Sequence, residues 1–193
     1  MRSMKITPLI NFAVLVFIGC AAYLGTLYLD RQIPNIKTAP ESVLKQTENN
    51  QSVPNFSFTG TDGKTLSIKD FQGKFIILNF WASWCTPCIK ELPLFLKAAG
   101  ENPENLIFIG LSSDLDKEKM MHFLKKQNFD ISQKNIFFAL DSENITQSLF
   151  QTFRLPETIL IDKNQIMRTK IISADWTYEE LISKIKALQT PQQ

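Results

Sequence analysis

Apolar residues in this chain gather into four short continuous runs: Phe75 to Trp81, Leu106 to Leu111, Ile136 to Leu140 and Thr158 to Ile161. Runs of this length without polar alternation are the pattern of strands buried on both faces. Elsewhere the apolar spacing changes to three and four, over Ile89 to Ala99, then Met120, Phe123 and Leu124, then Ile145, Leu149 and Phe153, then Leu181, Ile185 and Leu188. These segments read as amphipathic helices that should cover both faces of a sheet. Thr177 and Glu180 have the spacing of a capping box opening the last of them. Two hairpins complete the pattern. Phe56 to Thr59 and Thr65 to Ile68 flank the Gly60-Thr61-Asp62-Gly63-Lys64 turn, and Thr158 to Asp162 is joined to Ile166 to Ile172 by Lys163-Asn164-Gln165. The second hairpin makes the sheet mixed, with antiparallel pairing at its C-terminal edge.

The N-terminal pattern is different. Leu9 to Leu29 is a 21-residue stretch without a charge, preceded by Arg2 and Lys5 and followed by Asp30 and Arg31. That length spans a hydrocarbon core of ~30 Å, and the basic flank should stay in the cytoplasm. An uncleaved anchor over residues 1–30 fits better than a cleavable signal peptide, whose apolar region is only ~7 to 15 residues. Gly19-Cys20 resembles the end of a lipoprotein signal, but Phe17 and Ile18 suit that pattern poorly. Cys20 reads most simply as a small apolar residue in the helix. Residues 31–52 carry Pro34, Pro40 and many Asn, Gln, Ser and Thr, and read as a flexible tether. One folded domain is then expected over residues 53–193, on the outer side of the membrane where disulfides persist.

Composition narrows the function. A net charge of +2 over 193 residues, with no basic cluster interleaved with aromatics, sets nucleic-acid binding aside. The chemistry lies in Trp84-Cys85-Thr86-Pro87-Cys88, directly after an apolar strand and directly before a helical pattern. At a helix start Cys85 would face unpaired backbone N–H groups and the positive end of the helix dipole, which favour its thiolate. Cys85 is therefore the expected nucleophile. Cys88, one turn deeper, can reach the Cys85 sulfur and resolve a mixed disulfide. Pro87 suits the first helical turn, and Trp84 offers an apolar rim for a peptide. A purely structural disulfide would need neither a tryptophan nor a helix start. Tetrahedral zinc takes four Cys or His ligands or an open set of three, but of Cys20, Cys85, Cys88 and His122 the first lies in the apolar N-terminal stretch, and His122, without a metal-ligand partner at helical spacing, reads as a solvent-facing helix residue, so no metal or cofactor beyond the cysteine pair is expected.

Asn79-Phe80-Trp81-Ala82-Ser83-Trp84-Cys85-Thr86-Pro87-Cys88, then Lys90-Glu91-Leu92-Pro93, and much later Leu155-Pro156-Glu157-Thr158-Ile159-Leu160-Ile161-Asp162 resemble the thioredoxin superfamily. The similarity is greatest to its membrane-anchored TlpA/ResA-like thiol-disulfide oxidoreductases and covers roughly Val53 to Leu188. The resemblance implies a thioredoxin-like α/β fold with a central mixed β-sheet flanked by helices, an N-terminal β-hairpin and an αβ element inserted over Asp116 to Leu140. It also implies a cis-proline at Pro156 that, with Leu155, presents backbone to an extended substrate. Pro93 corresponds to a helix-kinking proline. Asn79 departs from thioredoxin's buried aspartate, and Glu91, three residues after Cys88, is the candidate substitute. An exposed, merely helix-favouring role for Glu91 competes evenly with that one.

The expected activity is thiol-disulfide exchange with partner proteins in the periplasm or its equivalent, in the reductive direction. The resemblance implies re-reduction by a membrane thiol donor of the DsbD/CcdA type, and apocytochrome c as a frequent substrate. Two other classes compete. A thiol peroxidase of the AhpC/TSA group would turn over peroxide. A copper-handling protein would retain metal through the cysteines and a Met or His from the Met120, Met121, His122 cluster.

Overall fold

A computed structural model describes residues 16–25, 28, 47–172 and 177–188. Residues 16–25 are helical (α1) with their side chains exposed. No helix among the described residues is long and apolar enough to cross a membrane. The rest of the expected Leu9 to Leu29 span, residue 28 apart, lies outside the described residues.

Of the two compact units of the chain, 1–43 and 44–193, the second is built on a six-stranded sheet. Its strands are β1 (Thr47–Ser52), β4 (Phe75–Trp81), β5 (Leu106–Ser112), β6 (Ile136–Leu140), β7 (Glu157–Ile161) and β8 (Ile166–Ile171), in the order β1-β8-β7-β4-β5-β6. β4, β5 and β6 run parallel, whereas β7 is antiparallel to both β4 and β8. Every residue of β4, β5 and β7 is buried, which is why their sequences show no polar alternation. Strands β2 (Ser57–Thr59) and β3 (Thr65–Ser67) form the separate N-terminal hairpin, where Gly63 takes the φ of 83° that its turn requires.

Three helices, α2 (Thr86–Glu101), α3 (Lys117–Lys126) and α5 (Tyr178–Ala187), pack on one face of the sheet. They bury Phe95, Met120, Phe123 and Leu181 against Ile77, Trp81, Phe108 and Phe138. The opposite face departs from the expected helical cover. There Phe56 and Phe58 of the hairpin segment, Ile68 and Phe71 of a short 3-10 helix, and Ile145 and Phe150 lie on Ile76, Leu78, Phe80 and Ile109. The helix expected from Ile145, Leu149 and Phe153 shrinks to α4 (Ile145–Ser148), and Phe153 is 75% exposed. Gln151 at φ 53° ends the helical geometry before Phe153, and Phe150 enters the core in place of Leu149.

A second correction concerns the tether. Its last six residues, Thr47–Ser52, form β1, paired antiparallel with β8 through a bulge between Glu48 and Gln51. Arg168 Nη1 donates to Asn50 Oδ1 at 2.8 Å, adding a side-chain tie across the pair. An edge strand needs only backbone pairing, so polar residues suffice and no apolar pattern marks it.

The α5 N-terminus has the capping box read from the sequence, with Glu180 N–H donating to Thr177 Oγ1 and Thr177 N–H to Glu180 Oε2. Tyr178 follows it, donates its hydroxyl to Glu101 at the end of α2, and lies with its ring 3.9 Å below Lys97 Nζ. Burial, helped by the Glu101 carboxylate, pushes the Tyr178 hydroxyl up to about 12 from an ordinary 10.0. Between these values the unfolded chain has lost the proton and the folded one keeps it, so stability falls as pH rises from about 10 to 12. Urea midpoints measured across that range should decline more steeply for wild type than for Tyr178→Phe.

Candidate active site

The parallel pairing of β4 with β5 and the antiparallel pairing of β4 with β7 bring three chain segments to one end of the sheet. In register, Trp81 lies beside Ser112 and Phe80 beside Glu157. The turn after β4, the loop after β5 and the residues just before β7 therefore meet there. Cys85 and Cys88 come from the first, and Pro156 from the last.

Cys85 is the N-cap residue of α2, and its Sγ accepts the Cys88 N–H at 3.3 Å. The two are joined as a disulfide with an S–S distance of 2.02 Å and Cα atoms 5.3 Å apart. Cys85 keeps 6% of its surface exposed and Cys88 none, so an incoming partner can meet only the first. Pro87 sits in the first helical turn, where no intrahelical N–H is lost. Trp84 is 67% exposed beside the pair. The Leu155–Pro156 bond is cis, with Pro156 buried and Leu155 half-buried. Pro93 lies inside α2 with its ring exposed.

Glu91 is wholly buried on α2 rather than solvent-facing. Asn79 Nδ2 donates to Glu91 Oε1 at 2.7 Å and to Thr158 Oγ1 at 3.0 Å, tying the helix to β4 and β7. The asparagine thus holds the acid that stands in its neighbourhood. Burial of such a carboxyl is costly unless it is hydrogen-bonded, and this geometry supplies a donor.

Asp114 has no counterpart among the residues expected from the sequence. It lies just past β5, buried, and accepts hydrogen bonds from Ser83 and Ser112. No local signal marks it, because Ser83 is 31 residues earlier and only the parallel pairing brings the two together. Glu157, directly after Pro156, carries no sequence signal beyond its place in the motif. It is 2% exposed, 2.9 Å from Lys170 Nζ, and accepts the Thr152 hydroxyl.

A cleft of about 890 Å³ opens beside Trp84, walled by Leu115, His122, Phe123 and Lys126. Met120 is buried, Met121 half-buried and His122 exposed. Among the described residues, no group of three or more His, Cys, Asp or Glu side chains could hold a metal ion.

The Redoxin family profile matches residues 48–182. Over 186 residues the chain is 28% identical to the thiol-disulfide oxidoreductase ResA of Bacillus thuringiensis subsp. konkukian, covering 96% of this chain and 99% of that protein. ResA of Bacillus anthracis is 31% identical over 140 residues, 72% of this chain and 77% of its own length. Among solved structures, a putative thiol:disulfide interchange protein DsbE from Chlorobium tepidum superposes with a TM-score of 0.64 at 24% identity, over 74% of this chain and 99% of its own. That likeness carries the fold, and the ResA relatives carry the chemistry. With the profile spanning well over half of its length and a dithiol pair at the head of α2, the chain belongs to the Redoxin family and is a protein thiol-disulfide oxidoreductase of thioredoxin-like fold.

Proposed function

We propose that this protein reduces disulfides of partner proteins on the outer face of a bacterial cytoplasmic membrane, held there by Leu9 to Leu29. The observation that carries the proposal is the asymmetry of the cysteine pair: Cys85 caps the helix at the surface, and Cys88 is sealed beneath it. The Cys85 thiolate attacks one sulfur of the partner disulfide, forming a mixed disulfide and releasing the other sulfur as a thiolate. Cys88, its proton passed to Glu91, then attacks the Cys85 sulfur and frees the second partner thiol. Two electrons pass to the partner, and the Cys85–Cys88 disulfide remains. Trp84, Pro87, Leu155 and cis-Pro156 line the path of the partner chain, and the cleft beside Trp84 gives it room.

A membrane thiol donor of the DsbD/CcdA type restores the dithiol, and apocytochrome c, whose haem-binding cysteines must be reduced, is the foremost substrate. Native membranes expressing Cys88→Ser should accumulate a mixed disulfide on Cys85, identifiable by mass spectrometry after non-reducing separation. Thiol alkylation of untreated membranes should find the wild-type pair largely reduced. Absence of any Cys85 adduct would remove the exchange cycle, and a pair held oxidised at steady state would reverse the electron flow.

A further inference from the structure

We infer that Asp114 is a positioning residue for the attacking thiol, clamping the turn that carries Cys85 to the end of β5. The inference rests on the assignment of Cys85 as nucleophile. Asp114 Oδ1 accepts the Ser83 hydroxyl at 2.7 Å and the Ser83 N–H at 3.2 Å. Its Oδ2 accepts the same N–H at 3.1 Å and the Ser112 hydroxyl at 2.6 Å. The Asp114 N–H in turn donates to Ser112 Oγ at 3.1 Å. A buried carboxylate is tolerated only when its lone pairs are filled, and bonds to a charged acceptor are roughly twice as strong as neutral ones.

What the clamp holds is the segment two residues ahead of Cys85. The backbone adds Cys85 N–H to Ala82 O at 3.1 Å and Ser113 N–H to Trp81 O at 2.9 Å. The intervening Trp84 points largely into solvent. Side-chain grip on this turn therefore comes through Ser83, and Asp114 receives it. A turn released from β5 no longer holds Cys85 Sγ in line with the Cys88 N–H, the contact that favours a thiolate at a helix start. Asp114 acts on Cys85 through Ser83 rather than on the substrate.

The test uses the reduced full-length chain in a Cys20→Ser background, following iodoacetamide alkylation of Cys85 against pH well below the melting temperature. Asp114→Ala should slow alkylation at pH 7 about ten-fold and raise the apparent thiol pKa by about one unit. Asp114→Asn keeps an amide oxygen for Ser83 and should lose only about three-fold. Ser83→Ala, which keeps the carboxylate, should change in the same direction and stands in for Asp114→Ala if that variant does not fold. Glu118, Lys119, His122 and Lys126 of α3 border the same cleft as Asp114 and stay unchanged in every variant.

Faster alkylation in both Asp114 variants would mean that the residue acts through charge alone, since losing a nearby anion favours the thiolate. A lower melting temperature with a wild-type alkylation profile would mean that it acts only on stability. Either result overturns the clamp. Peptide mapping separates this from the assignment beneath it: label on Cys88 in the wild type would sink the nucleophile and the clamp together, whereas label on Cys85 at the wild-type rate in all variants sinks the clamp alone.

Discussion

Cys85→Ser is expected to lower insulin-disulfide reduction by on the order of a thousand-fold or more, leaving the secondary structure unchanged. The size follows from the nucleophile. A serine hydroxyl has no anion to offer near neutral pH, whereas the thiol at an N-cap receives a backbone N–H and the field of a sixteen-residue helix, Thr86–Glu101. Cys88 cannot take over, because none of its surface is exposed to a partner. Cys88→Ser should behave differently, completing one attack and then stalling on the mixed disulfide. Comparable turnover in Cys85→Ser and wild type, followed by the loss of the insulin disulfide signal, would reject the order of attack.

Trp81→Ala should be the most damaging core change near the site, costing about 3–5 kcal/mol of unfolding free energy in urea titrations. Trp81 is fully buried at the end of β4, with Phe123 and Phe138 rings 5.7 and 5.5 Å from its own. Its removal opens a void between the sheet and α3, and the well-packed rings around it can collapse only partly. Trp81→Phe should cost much less. The indole Nε1 has no hydrogen-bond partner among the described residues, so the smaller ring sheds an unsatisfied donor along with the volume it loses. Equal losses for Ala and Phe would show that indole shape, rather than filled volume, governs the site.

The parts legible in the sequence were those whose cause is local. Full burial wrote itself into β4 and β5 as near-continuous apolar runs, and the Thr177–Glu180 box is a four-residue motif. The cysteine pair, its proline and its helix are contiguous as well. What escaped depends on partners far along the chain. Glu91 could be read equally as a surface acid until Asn79, twelve residues earlier, is seen donating to it inside the fold. Asp114 looks like any loop aspartate, and β1 like any polar linker, because a parallel neighbour and an edge ladder leave no periodic trace. The overestimated fourth helix has the reverse cause: apolar spacing at three and four continued past a residue whose backbone had already turned left-handed.

The edge position of β1 has a mechanical meaning. A pull on the chain ahead of Thr47 meets the β1–β8 ladder first, and its Asn50–Arg168 tie spans 118 residues of sequence. Asn50, Gln51 and Ser52 are exposed, so little apolar contact resists their lifting. The strands that carry the cysteine turn and cis-Pro156 lie deeper in the sheet order, three and two places in from that edge respectively. Force arriving along the chain is thus spent peeling a polar strand, and the geometry around Cys85 is insulated from it.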